Sequence, residues 1–216
     1  MKEYFEKDSL VLFYGDSITD AGRNKAEGED MGKGFAAKTA NLYSVLFPDQ
    51  KVRFLNRGVS GNTSADLLAR YEKDVKALHP QYIFLLIGIN DTWHGWVEGR
   101  PISAETTRDN VRTLIDWIRR DLEGTKLIML EPWLLDSDPA KVSWHEDFDP
   151  KEEILAKAGR ESADLFIDIP ACFRKEIEKG RATEEKICPD GVHPSDYGHG
   201  LIALKVLKEI GCIDCE

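Results

Sequence analysis

Five short apolar runs punctuate the chain, at Leu10–Tyr14, Val52–Leu55, Tyr82–Ile87, Leu127–Leu130 and Leu165–Ile169. Three of them, LVLFY, YIFLLI and LIML, are continuously apolar, as expected of strands covered on both faces in a parallel sheet. Between the runs, apolar residues recur at helical spacing. Leu68, Tyr71, Val75 and Leu78 share a face in Thr63–Leu78, and Val111, Leu114, Ile115, Ile118 and Leu122 do so in Thr106–Leu122. Asp196–Ile210 places Ala203, Val206, Leu207 and Ile210 on one stripe. This strand–helix alternation predicts an α/β fold, a three-layer α/β/α sandwich around a five-stranded parallel sheet with right-handed crossovers. No linker, repeat or shift in composition divides the chain, so residues 1–216 read as a single domain.

In such sheets the ligand site lies beyond the carboxyl ends of the strands. The residues placed there are Gly15-Asp16-Ser17, Asn56 through Gly61, Gly88 through Trp93, Glu131-Pro132-Trp133 and the segment after Asp168. Four of the chain's motifs fall on or near that list. In GDSIT, Ser17 reads either as a helix cap or as a nucleophile. It is not the elbow of an α/β-hydrolase, because Thr19 stands where that motif has its second glycine. In CPDGVHPSDYGHG, Asp190 and His193 lie three residues apart in a loop bounded by Gly191 and Pro194. A serine hydroxyl needs a base to take its proton, and that base works best when a carboxylate fixes its tautomer, so this one segment can supply both. The plainer reading is a turn followed by a helix capped by Ser195 or Asp196. In NRGVSGNTS, Gly58 lets a backbone N–H approach a ligand closely, or simply turns the chain toward a helix capped by Thr63 or Ser64. In LLIGINDTW, Asn90 can aim an amide donor at a developing oxyanion or close an Asx-turn. Each signal alone is weak; their conjunction at successive strand ends supplies nucleophile, oxyanion donors, base and orienter.

Together the four segments resemble the blocks of the SGNH (GDSL) hydrolase family: GDSIT, NRGVSGNT, GIND and DGVHP. They span nearly the whole chain. The resemblance implies a flavodoxin-like sandwich in which Ser17 attacks an ester carbonyl, His193 is the base and Asp190 orients it. It implies an oxyanion hole built from the N–H groups of Ser17 and Gly58 and the Asn90 side chain, with no metal or organic cofactor. Longer matches in GDSITDAGR, NRGVSGNT, GINDTW and VHPSDYGH are similar to the intracellular acetylxylan esterases of that family, which implies removal of acetyl groups from short sugar chains. Asp16 and Trp93 are candidate substrate contacts, Trp93 as an indole walling a small pocket, whereas His94 reads as a polar loop residue. A thioesterase or lysophospholipase acting on longer chains is the nearest alternative. A carbohydrate-binding protein or a nucleotide binder on the same fold are the non-enzymatic ones.

The remaining features narrow the picture. Lys and Arg number 29 against 39 Asp and Glu, a net charge of −10, and no basic cluster offers a face to nucleic acid. No apolar stretch approaches the length of a membrane span, and the charged start MKEYFEKDS lacks the apolar core of a secretory signal. Four scattered cysteines do not form a disulfide framework, and the expected location is the cytoplasm. GEDMGKG is one residue short of a phosphate loop and lacks its Ser/Thr. CIDC lies at the C-terminus rather than after a strand, against a thioredoxin-type role, and Cys188 reads as a packing residue. The segment Glu131–Pro150, with two tryptophans, a histidine and five acidic residues after Glu131, reads as a long loop. It is a surface crossover, a wall of the substrate cleft or a contact in a possible homo-oligomer.

Overall fold

The computed structural model describes residues 2–214. All five predicted runs form strands: β1 (Leu10–Gly15), β2 (Arg53–Gly58), β3 (Tyr82–Leu86), β4 (Lys126–Leu130) and β5 (Leu165–Ile167). They pair in parallel in the order β2-β1-β3-β4-β5. The chain therefore leaves β1 toward one edge of the sheet and returns on its other side to β3, a reversal that opens a crevice beyond the end of β1. The helices are α1 (Ser17–Asp20), α2 (Phe35–Leu46), α3 (Ser64–Asp74), α4 (Ile89–Glu98), α5 (Ala104–Asp121), α6 (His145–Ser162), α7 (Ile169–Glu178), α8 (Glu184–Ile187) and α9 (Asp196–Glu209).

The apolar runs of the strands serve two cores at once, because successive side chains point to opposite faces. Val11, Phe13, Phe84, Leu86, Ile128 and Ile167 pack with Phe35 and Tyr43 of α2, Phe173 of α7 and Ile202 and Val206 of α9. The alternate residues Leu12, Tyr14, Ile83, Leu85, Leu127 and Met129 pack with Leu67 and Tyr71 of α3, Val111, Leu114 and Ile118 of α5 and Leu155 of α6. The three-layer sandwich is the arrangement that buries both faces.

Two predicted elements differ in detail. Helix α3 stops at Asp74, and Lys76–Leu78 forms a separate 3-10 turn. Tyr71 and Val75 are fully buried as expected, Leu68 and Leu78 pack partly buried against the same core, and Leu67 joins the stripe fully buried. The segment Glu131–Pro150 is not one long loop. It passes through a 3-10 turn at Val142–Trp144 into α6, which starts at His145 and runs through Pro150. The first turns of α6 are mostly polar, with Phe148 as their one buried apolar anchor; the (i, i+4) pairs His145–Asp149 and Asp147–Lys151 lie along the same turns.

The described cysteines, Cys172, Cys188 and Cys212, are unpaired, and burial pushes the Cys188 thiol up to about 12. Cys215 lies outside the described residues. No helix among the described residues is long and apolar enough to cross a membrane.

Candidate active site

Strand β1 delivers Gly15, Asp16 and Ser17 to the crevice, and α1 begins at Ser17. The cap of α1 is Asp16: its Oδ1 accepts the Ile18 N–H at 2.9 Å. The Ser17 hydroxyl is thus free of capping duty and meets His193, with Oγ and Nε2 2.9 Å apart. On the far side of the ring, His193 Nδ1 lies 2.8 Å from Asp190 Oδ2. Asp190 Oδ1 accepts the backbone N–H groups of Val192, at 3.0 Å, and of His193, at 2.7 Å. A carboxylate with only acceptors on both oxygens forces the proton of the neutral imidazole onto Nδ1, leaving Nε2 bare toward the serine. The arrangement can carry a proton from Oγ to the ring.

The electrostatics run the same way. The hydrogen bond to Asp190 raises the His193 pKa above the usual imidazole value; burial opposes it, and the nearby Asp16 adds to the rise. Burial works to raise Asp190, but the bonds from the His193 ring and from the N–H groups of His193 and Val192 outweigh it and hold the carboxyl well below its ordinary range. Asp16, only 1% exposed, is pushed up by burial to about 7. It is a cap enclosed beneath Ser17 and not the expected substrate contact, because its carboxylate has no open face.

The segment that carries Asp190 and His193 is held by the chain between β4 and α6. Leu135 N–H donates to Gly191 O, Ser137 Oγ to Cys188 O, and the Trp133 indole N–H to Val192 O. Lys141 Nζ donates to Asp190 O at 2.9 Å. Of the readings open for Glu131–Pro150, the structure favours a wall of the site. Trp144 from this segment backs Trp93, ring centroids 5.1 Å apart, and Trp93 stands edge-on to His193 at 5.7 Å. Trp93 therefore stands beside the ring that meets Ser17 Oγ.

Asn90 opens α4 and donates through Nδ2 to Asn62 O at 3.0 Å, which leaves its second amide hydrogen. Its neighbour Asp91 is completely buried and accepts from Ser64 N–H and Oγ and from Thr107 Oγ1. The NDT sequence thus pins the start of α4 to α3 and α5 and fixes where Asn90 points.

Gly58 does not sit as expected. Its N–H is already donated to Asn56 Oδ1 at 2.8 Å, and a Cβ there would come 2.2 Å from the backbone nitrogen of Asp20. Gly58 is a glycine because α1 packs directly on it. Three residues on, Gly61 lies in the Val59–Asn62 turn at φ +81°, with open space where a Cβ would stand. Among the described residues neither its N–H nor that of Ser17 has a partner. The two glycines of NRGVSGN are told apart only by which N–H is spent. Among the described residues no three His, Cys, Asp or Glu side chains are grouped to hold a metal ion.

The profile of the GDSL-like lipase/acylhydrolase family matches residues 13–201, a span that takes in every residue of this site. The chain belongs to that family. It is 31% identical over 212 residues to the acetylxylan esterase of Geobacillus stearothermophilus, with 93% of each chain covered. The GDSL family membership and this relative make the chain a carboxylic ester hydrolase on the SGNH fold. Axe2, an acetylxylan esterase from Geobacillus stearothermophilus, superposes with a TM-score of 0.85 at 29% identity over 97% of both chains. LAE5, an alpha/beta hydrolase enzyme from the metagenome of Lake Arreo, superposes at 0.86 and 28% identity, covering 98% and 99%. Two Axe2 structures are catalytic mutants, one with alanine in place of an aspartate and one with alanine in place of a histidine three positions later. Asp190 and His193 have that same spacing.

Proposed function

We propose that the chain is a serine esterase that removes short acyl groups, acetyl above all, from carbohydrates through an acyl-enzyme. The observation that carries this reading is the unbroken relay from Ser17 Oγ through His193 to Asp190. Ser17 Oγ attacks the ester carbonyl as its proton passes to His193 Nε2. The tetrahedral oxyanion is held by the N–H groups of Ser17 and Gly61 and by the Asn90 amide; Gly61 takes the place expected of Gly58 because its N–H is unspent. Collapse expels the sugar alcohol, which receives the His193 proton. Water, deprotonated by the same ring, then attacks the acyl carbon; the bond to Ser17 Oγ breaks, Oγ takes back the His193 proton, and the acid leaves.

Support for a short acyl group is the Trp93 indole, which stands against His193 and is held by Trp144 behind it. Support for a sugar is the aromatic surface that continues outward from this wall. Trp96 lies parallel to Trp144 and is 45% exposed, a face of the kind that packs against the C–H side of a pyranose. A relative that acts on acetylxylan agrees with both.

A panel of aryl esters from acetyl to decanoyl tests the acyl preference. The expected kcat/KM is highest for acetyl and lower by about 100-fold or more for decanoyl. A flat or rising series assigns the chain to the thioesterase or lysophospholipase class instead. Acetate release from acetylated xylo-oligosaccharides then tests the sugar. For Asn90→Ala the expected kcat is lower by roughly 100- to 1000-fold with KM nearly unchanged. A change confined to KM makes Asn90 a binding group rather than an oxyanion donor.

A further inference from the structure

His94 lies four residues after Asn90 on α4, on the same side of the helix. Its Nε2 is 2.8 Å from the Gly61 carbonyl oxygen. A carbonyl only accepts, so Nε2 carries the proton. One turn earlier, Asn90 Nδ2 donates to the carbonyl of Asn62. Two side chains of α4 therefore grip two consecutive carbonyls of the turn that presents the free Gly61 N–H. From the opposite side, Asp20 of α1 accepts from the Ser60 N–H at 3.1 Å and the Ser60 hydroxyl at 3.0 Å. The turn hangs between the helix that carries the Ser17 N–H and the helix that carries the Asn90 amide.

We propose that His94 is a positioning residue: by holding the Gly61 carbonyl it sets the Gly61 N–H at the place where the oxyanion develops. This rests on the esterase reading above. Gly61, without a Cβ and at positive φ, has the widest backbone freedom in the turn, so a restraint on its own carbonyl matters there. The remaining ring nitrogen, Nδ1, faces Arg100 Nη2 at 2.9 Å and Glu98 Oε2 at 2.8 Å. It accepts from Arg100 when His94 is neutral and donates to Glu98 when it is charged. Nε2–H is present in both states, so the grip on Gly61 persists across the range in which His94 titrates.

The test compares wild type with Ser17→Ala, His94→Ala and His94→Gln, using p-nitrophenyl acetate turnover, inhibition by an alkyl boronic acid that forms a tetrahedral adduct on Ser17, and thermal unfolding. Glutamine keeps a donor near the position of Nε2. His94→Ala is expected to lower kcat by roughly 10- to 100-fold, at pH 6 and pH 8 alike, with KM nearly unchanged and boronate affinity weakened in parallel. His94→Gln is expected to recover most of both at similar thermal stability. Wild-type kcat in His94→Ala, or a His94→Gln as slow as His94→Ala, overturns the positioning role while an inactive Ser17→Ala leaves the esterase reading standing. A loss in His94→Ala that appears at only one of the two pH values overturns it in favour of proton transfer by His94. Full activity in Ser17→Ala overturns the esterase reading, and the positioning role with it.

Discussion

Replacing Ser17 with alanine is expected to reduce aryl acetate hydrolysis by roughly 10⁶-fold in kcat, while leaving the melting temperature nearly unchanged. The two halves of this expectation have separate causes. The rate falls because Oγ is the atom that forms the new bond to the acyl carbon, and no neighbouring hydroxyl takes its place against His193 Nε2. The fold survives because Ser17 does no capping: Asp16 accepts the Ile18 N–H, and the Ser17 carbonyl, retained in alanine, accepts the Ala21 N–H. Had Ser17 been the cap of α1, its loss would have cost about 1 kcal/mol of stability and blurred the result. Initial rates, thermal unfolding and labelling by a fluorophosphonate measure the three parts. A folded Ser17→Ala protein that keeps its activity, or that still takes the label at the site, removes Ser17 from the nucleophile's role.

That the cap is Asp16 while the Ser17 hydroxyl meets His193 shows what sequence reading reaches and where it stops. Ser17, Asn90, Asp190 and His193 were legible because chemistry in a parallel sheet gathers at strand ends, and the continuous apolar runs mark those ends. Three of the four motifs follow a strand directly, so locating the strands located much of the site. What was not legible depends on partners distant in sequence. Gly58 and Gly61 share one motif, and the choice between them turns on an Asn56 side chain and on the packing of α1, neither visible in the order of residues. Asp16, next to Ser17, looks like a site residue until its burial is known. His94 read as a loop residue because INDTWHGWVE contains Gly95 in its interior, a weak helix former that hides the register bringing Asn90 and His94 to one face. The polar opening of α6 concealed a helix in the same way, since Phe148 is its only apolar anchor and a single buried residue shows no period.

Asp190→Asn is expected to lower kcat by about 10⁴-fold, on the scale seen when the orienting carboxylate of a serine–histidine–aspartate arrangement is made an amide. The geometry gives the reason. The N–H groups of Val192 and His193 both point at Oδ1, so the asparagine carbonyl must take that position. Its NH₂ group then faces His193 Nδ1, where a donor replaces an acceptor. The neutral ring responds by moving its proton to Nε2, and an Nε2 that carries a proton cannot accept one from Ser17. The pH profile supplies an independent sign. In the wild type the bond to Asp190 raises the His193 pKa, and only the neutral ring is a base, so kcat/KM climbs as pH rises through that raised value. Removing the negative charge withdraws the largest cause of the rise and leaves burial and Lys141, which lower the pKa, against the smaller upward pull of Asp16. The ascending limb of the residual activity is therefore expected at lower pH than in the wild type, the opposite of a general loss of fold. A profile of kcat/KM between pH 5 and 9 for both proteins measures it. If Asp190→Asn retains activity within tenfold, or its ascending limb moves to higher pH, some other group orients His193; if both expectations hold, the carboxylate acts by fixing the tautomer and the charge of the base.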